Sequence, residues 1–114
     1  MKYYFERNLK IINELMTYLH KLGAKDINVT LQRNDSCITF LVWGEINNID
    51  SSELDDLTTI LNTERQHEVE ESYWNLGGEG ESEGELSLVG MMIDKAEITY
   101  SNNTLTFKIY RNEL

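Results

Sequence analysis

Asn13-Glu14-Leu15-Met16-Thr17-Tyr18-Leu19-His20-Lys21-Leu22-Gly23-Ala24 is the stretch on which the reading of this chain turns. Upstream and through it, Phe5, Leu9, Ile12, Met16 and Leu19 recur at alternating spacings of four and three, the period of one apolar helix face. Ile11, Leu15 and Leu22 widen that stripe. The spacing predicts a long amphipathic helix from about Lys2 to Leu22. Gly23 stands where a left-handed residue ends a helix, and Lys21 in the last turn complements the helix dipole.

After this helix the period changes from 3.6 to two. Ile27, Val29 and Leu31 alternate with Asn28 and Thr30, and Ile38, Phe40 and Val42 alternate with Thr39 and Leu41, which predicts two strands joined at Arg33-Asn34-Asp35-Ser36. The second strand carries apolar residues on both faces, including Cys37, Leu41 and Trp43, and is therefore expected to be the more central. Asp50-Ser51-Ser52-Glu53 offers a capping arrangement for a helix with Leu54, Leu57, Ile60 and Leu61 on its apolar face. Glu68 to Trp74 add a short helix before Gly77-Gly78 breaks the pattern. Residues 77–85 hold four glycines and four glutamates, the composition of a flexible, solvated loop. Leu86, Leu88, Val89, Met92 and Ile93 then form a buried helical pattern, capped from Ser82 or the loop backbone. A closing hairpin sets Ala96, Ile98 and Tyr100 against Leu105, Phe107 and Ile109 around Ser101-Asn102-Asn103-Thr104. The expected fold is α+β, in the order α-β-β-α-(α)-α-β-β. It is a two-layer sandwich in which two hairpins form one mixed sheet covered on one face by helices.

The chain has 114 residues, enough for one domain that buries roughly two thirds of its unfolded surface. Twenty acidic residues against ten basic give a net charge of -10, which opposes approach to nucleic acid phosphates and anionic lipid. A basic protein partner or simple solubility fits the same charge. The lone cysteine, Cys37, cannot form an internal disulfide, no signal segment opens the chain and no apolar run reaches membrane-spanning length, so a cytoplasmic setting is expected. Cys37 lies within a strand pattern and reads as a packed thiol. His20 and His67 read as solvent-facing, the acidic loop lacks the ligand pattern of a calcium site, and no metal site is expected.

The element order, with Glu14-Leu15-Met16-Thr17 and Leu86-Ser87-Leu88-Val89, resembles the ATP-binding domain of histidine kinases and related anti-sigma kinases, gyrases and chaperones. The resemblance covers Leu9 to Glu45 and Gly77 to Tyr110. It implies that Glu14 matches a glutamate that activates water, and that Lys21 matches a basic residue at the helix end. Tyr18 stands where the family carries a magnesium-binding asparagine, and a phenol does not replace an amide oxygen as a ligand for a hard cation. Gly44 stands in place of the aspartate that contacts adenine. Gly78, Gly80 and Gly84 keep the flexibility of the family's phosphate loop, but Glu83 and Glu85 stand where further glycines are expected. Like charges about 4 Å apart repel by about 1 kcal/mol even in water.

These departures favour a nonenzymatic, cytoplasmic protein-interaction or regulatory domain, with no catalytic residue and no cofactor. The alternative is a divergent kinase or ATPase that binds ATP with magnesium. In that reading Glu14 is the base, Tyr18, Lys21, Gly44, Gly78, Gly80 and Gly84 surround the nucleotide, and the 77–85 loop closes as a lid. A third reading is an unrelated α+β interaction domain. Glu14 as an exposed helix glutamate is the plain reading beside the catalytic one. Tyr3-Tyr4-Phe5 and Tyr73-Trp74 are core edges or, if exposed, a partner surface. The sequence names neither partner nor oligomeric state.

Overall fold

A computed structural model of the chain describes residues 4–68, 70 and 86–113. The first helix, α1, runs Tyr4–Lys21. It ends as the sequence predicts: Gly23 has φ +85°, its N–H donates to His20 O at 2.9 Å, and the Ala24 N–H donates to Leu19 O at 3.0 Å. These paired bonds satisfy carbonyls that the last turn leaves without helical partners.

The face of α1 that packs coincides only in part with the stripe that sets the period. Asn8, Ile11, Ile12, Leu15 and Leu19 are buried, whereas Phe5, Leu9 and Met16 are 55%, 47% and 37% exposed. Two adjacent apolar strips share this helix, and the sheet takes the one centred on Leu15.

Two hairpins supply the sheet: β1 (Asn28–Asn34) with β2 (Cys37–Glu45), and β3 (Lys95–Ser101) with β4 (Thr104–Asn112). The turns fall where Asp35, Asn102 and Asn103 take positive φ of 59°, 51° and 61°, a conformation that Asn and Asp adopt more readily than most residues. The strand order is β1-β2-β4-β3, so β2 is central, as its two apolar faces predict. Every pairing is antiparallel, which replaces the expected mixed sheet. The cause is the long β2–β4 register, Cys37↔Asn112 through Glu45↔Thr104. It sets Phe40 opposite Ile109 and Val42 opposite Phe107, so the inward residues of both hairpins share one face.

That face is the core. Ile38, Phe40, Val42, Leu105, Phe107 and Ile109 are buried against α1, against α2 (Ser51–Leu61) and against the short α3 (Leu86–Gly90). α1 packs on β2, while α2 packs on β3 and α3. The two-layer α+β arrangement read from the sequence is the observed one. Cys37, by contrast, is exposed rather than packed, because strand alternation places it on the face opposite Ile38 and Phe40.

Two helix ends differ from expectation. Asp50 is the extended N-cap of α2, but its side chain makes no capping bond, and Glu53 turns to Tyr18 instead. α3 stops at Gly90 and the chain turns, with Met91 N–H bonding Leu88 O and Met92 N–H bonding Val89 O. Gly90 lies against α2 so closely that a Cβ there would stand 2.3 Å from Ile60 O. His67, Glu68 and Glu70 are helical, while the remainder of the expected 68–74 helix and the 77–85 loop lie outside the described residues.

Candidate functional site

Glu14, Tyr18 and Lys21 are spaced four and three apart, which sets them on one flank of α1. Of these, Tyr18 faces a cleft of about 370 Å³, lined also by Glu53, Asp56, Leu57 and Ile60 of α2 and by Leu86 and Ser87 of α3. The mixture of two carboxylates with apolar walls follows from α2, whose Leu57 packs on the core while Asp56 stays exposed.

Tyr18 dominates the cleft chemically. Its hydroxyl donates to Glu53 Oε2, and its ring meets Phe107 edge to face at 6.2 Å between centroids. Burial, then the hydrogen bond to Glu53 and the Glu53 charge, push the Tyr18 phenol well above its ordinary value. The group is a fixed, protonated donor. It serves a carboxylate of its own chain.

Glu14 is buried, 6% exposed, which overturns its reading as an exposed helix glutamate. It lies one turn before Tyr18 on the same flank, but it is not among the described residues lining the cleft. Lys21 is exposed at the helix end. Gly44 belongs to a different part of the molecule. A Cβ on Gly44 would stand 2.3 Å from Asp26 O, so its small size admits the chain that leaves α1. The Glu45 N–H donates to Asp26 Oδ1 at 2.9 Å, and the Lys25 N–H donates to Glu45 O at 2.9 Å. That backbone bond from Glu45, joined by Asn28, holds the Asp26 carboxyl below the usual range. Thus Tyr18 meets the cleft, Glu14 and Lys21 share its helix flank, and Gly44 is drawn into strand packing. Gly78, Gly80 and Gly84 lie outside the described residues.

A second polar cluster was not foreseen. Arg111 is fully buried, with Nε donating to Asn8 Oδ1 at 2.8 Å, Nη1 to Met92 O at 2.6 Å and Nη2 to Glu70 Oε2 at 2.8 Å. Glu70 also accepts from Arg7 at 3.1 Å and from Arg65 at 3.0 Å. Asn8 passes the network to Glu113 at 2.9 Å, which Arg33 meets at 3.3 Å. Burial pushes the Glu70 carboxyl up, but the Arg111 hydrogen bond and charge, with Arg65, outweigh it and hold the group below the usual carboxylate range. The sequence does carry one signal. Arg111 continues the inward register of Leu105, Phe107 and Ile109, and a charge at a core position requires a buried partner. The cluster clasps residue 70 to α1 and β4, a structural task.

Among the described residues, no group of three or more His, Cys, Asp or Glu side chains is placed to hold a metal ion, and no helix is long and apolar enough to cross a membrane. No protein-family model matches this chain, and no curated protein matches it.

Proposed function

We propose that this chain is a nonenzymatic, cytoplasmic protein-interaction or regulatory domain on a degenerate kinase-type ATPase fold. The observation that carries the reading is the Tyr18–Glu53 hydrogen bond. At the position where the resemblance calls for a magnesium ligand, a protonated phenol is already engaged, and the acceptor is itself a carboxylate. Asp56 adds a second carboxylate to the same cleft. A polyphosphate entering there meets the negative charge of Glu53 and Asp56. Protein interaction fits the remaining surface, where Phe5, Leu9 and Met16 expose an apolar flank of α1.

Thermal unfolding with and without millimolar Mg-ATP or Mg-ADP tests the reading. A ligand at about a hundred times its Kd stabilises a protein by about 2.7 kcal/mol, a clear rise in melting temperature for a domain this size. The expected result is no shift. A nucleotide-dependent rise that Glu14→Ala removes contradicts the proposal.

One observation favours the alternative, a divergent ATP-binding domain: Glu14 is buried one helical turn before Tyr18, which lines the cleft. That reading requires nucleotide to order the 77–85 loop. Equal proteolysis of this loop with and without saturating nucleotide removes it.

A further inference from the structure

Phe5, Leu9 and Met16 lie on one flank of α1, and Tyr18, on the other, faces α2 through Glu53. The exposed apolar flank therefore turns towards β1. There Val29 and Leu31 occupy the helix-bearing face, opposite Val42 and Phe40, yet are 39% and 36% exposed. α1 packs on β2, and these two side chains form an apolar floor at the edge of the sheet.

That edge is open in its backbone as well. Among the described residues, no strand pairs with β1 on the side away from β2. Asp35 and Ser36 make a two-residue hairpin, in which the closing pair Asn34↔Cys37 exchanges backbone hydrogen bonds. By alternation, Asn28, Thr30 and Gln32 also bond to β2, while Val29, Leu31 and Arg33 direct N–H and C=O outward. The opposite edge is treated differently. On β3 the Asn62 side chain donates to Ala96 O at 3.0 Å and accepts from the Ala96 N–H at 3.0 Å, and Lys95 and Glu97 flank the plug. Charges and such plugs discourage strand addition. β1 carries no carboxylate, no proline and a single charge, Arg33.

We propose that β1 pairs antiparallel with β1 of a second copy of this chain about a two-fold axis at Leu31, joining two four-stranded sheets into one. This deepens the interaction-domain reading and rests on it. The occupant follows from self-complementarity. With Leu31 opposite Leu31, Arg33 falls opposite Val29, Gln32 opposite Thr30 and Asn34 opposite Asn28, so no like charges meet. For a chain of net charge -10 this is a surface on which a copy approaches without facing carboxylates along the strand. The outward groups of Val29, Leu31 and Arg33 all find partners. The two α1 helices then stand about 14 Å apart, three strand spacings, and Phe5, Leu9 and Met16 of both copies cover the floor between them. Seven strand residues make an edge of about 24 Å, so the contact falls toward the small end of specific interfaces and the dimer is reversible.

Light scattering and sedimentation of the full chain, from low-micromolar to near-millimolar concentration, read the proposal. The mass is expected to rise from one chain towards two, with the Val29, Leu31 and Arg33 amides gaining hydrogen-exchange protection over the same range. Leu31→Lys keeps the far-ultraviolet dichroism and abolishes both changes. Should that variant unfold, Leu9→Glu, on the exposed helix flank, is expected to weaken association with β1 intact. A chain that stays monomeric throughout overturns the proposal, as does a dimer that persists in both variants with these amides unprotected. The two readings fail separately: a monomer that binds no nucleotide removes only the dimer, and nucleotide binding removes only the interaction-domain reading.

Discussion

Arg111 and Glu70 are both fully buried, and their energetic weight depends on each other. Arg111→Ala leaves Glu70 as a buried charge with part of its support gone, an expected loss of about 3 to 5 kcal/mol in urea unfolding. The double variant Arg111→Met with Glu70→Leu is expected to recover part of that loss and not all of it, because it removes the unpaired buried carboxylate but also takes an acceptor from Arg7 and Arg65. A double variant as unstable as the single one contradicts this account. Acid stability follows from the same carboxylate. Its folded value lies below the ordinary one near 4.5, so its contribution is fully present above that pH and is lost as pH falls through the depressed value. The urea midpoint is expected to drop below about pH 4.5 and to drop less steeply in Glu70→Gln. An unchanged slope in that variant counts against the linkage. The tasks of Tyr18 and Gly44, bonding Glu53 and admitting Asp26, were not legible in the sequence, because they depend on partners remote along the chain. Glu70 and Arg111 stand 41 residues apart, and no local pattern links them.

At the scale of elements, the hairpins were readable because two local signals agree: period-two alternation and turn residues that accept positive φ. The packing face of α1 was less legible. Periodicity locates apolar strips on a helix, but which strip meets the sheet depends on where α2 and β2 stand, and here Leu15 wins over Leu9 and Met16. Close approaches between elements were equally hidden. Gly90 and Gly44 each face a backbone oxygen 2.3 Å from where a Cβ would stand, so Gly90→Ala and Gly44→Ala are expected to cost about 1 to 3 kcal/mol or more by overpacking. Gly23→Ala meets nothing within 4 Å and bears only the left-handed backbone penalty, about 1 kcal/mol. Chemical unfolding of the three variants distinguishes steric from conformational cost. Equal losses at Gly23 and Gly90, with no structural shift at Gly90, contradict the assigned close contact.

Across the whole molecule, one antiparallel sheet carries all its described helices on a single face and is organised by the β2–β4 pairing. The order of elements and the two-layer class were available from the sequence. The antiparallel junction between the hairpins was not, because nothing local to either hairpin specifies the direction in which they meet. The proposed function belongs to this scale too: beside the core lies a cleft that carries the Glu53 and Asp56 carboxylates, and the proposal is that it takes no nucleotide. Isothermal titration calorimetry of the full chain with Mg-ATP tests that claim most directly. The account predicts no binding heat beyond dilution, whereas saturable micromolar binding that disappears in Glu14→Ala contradicts it.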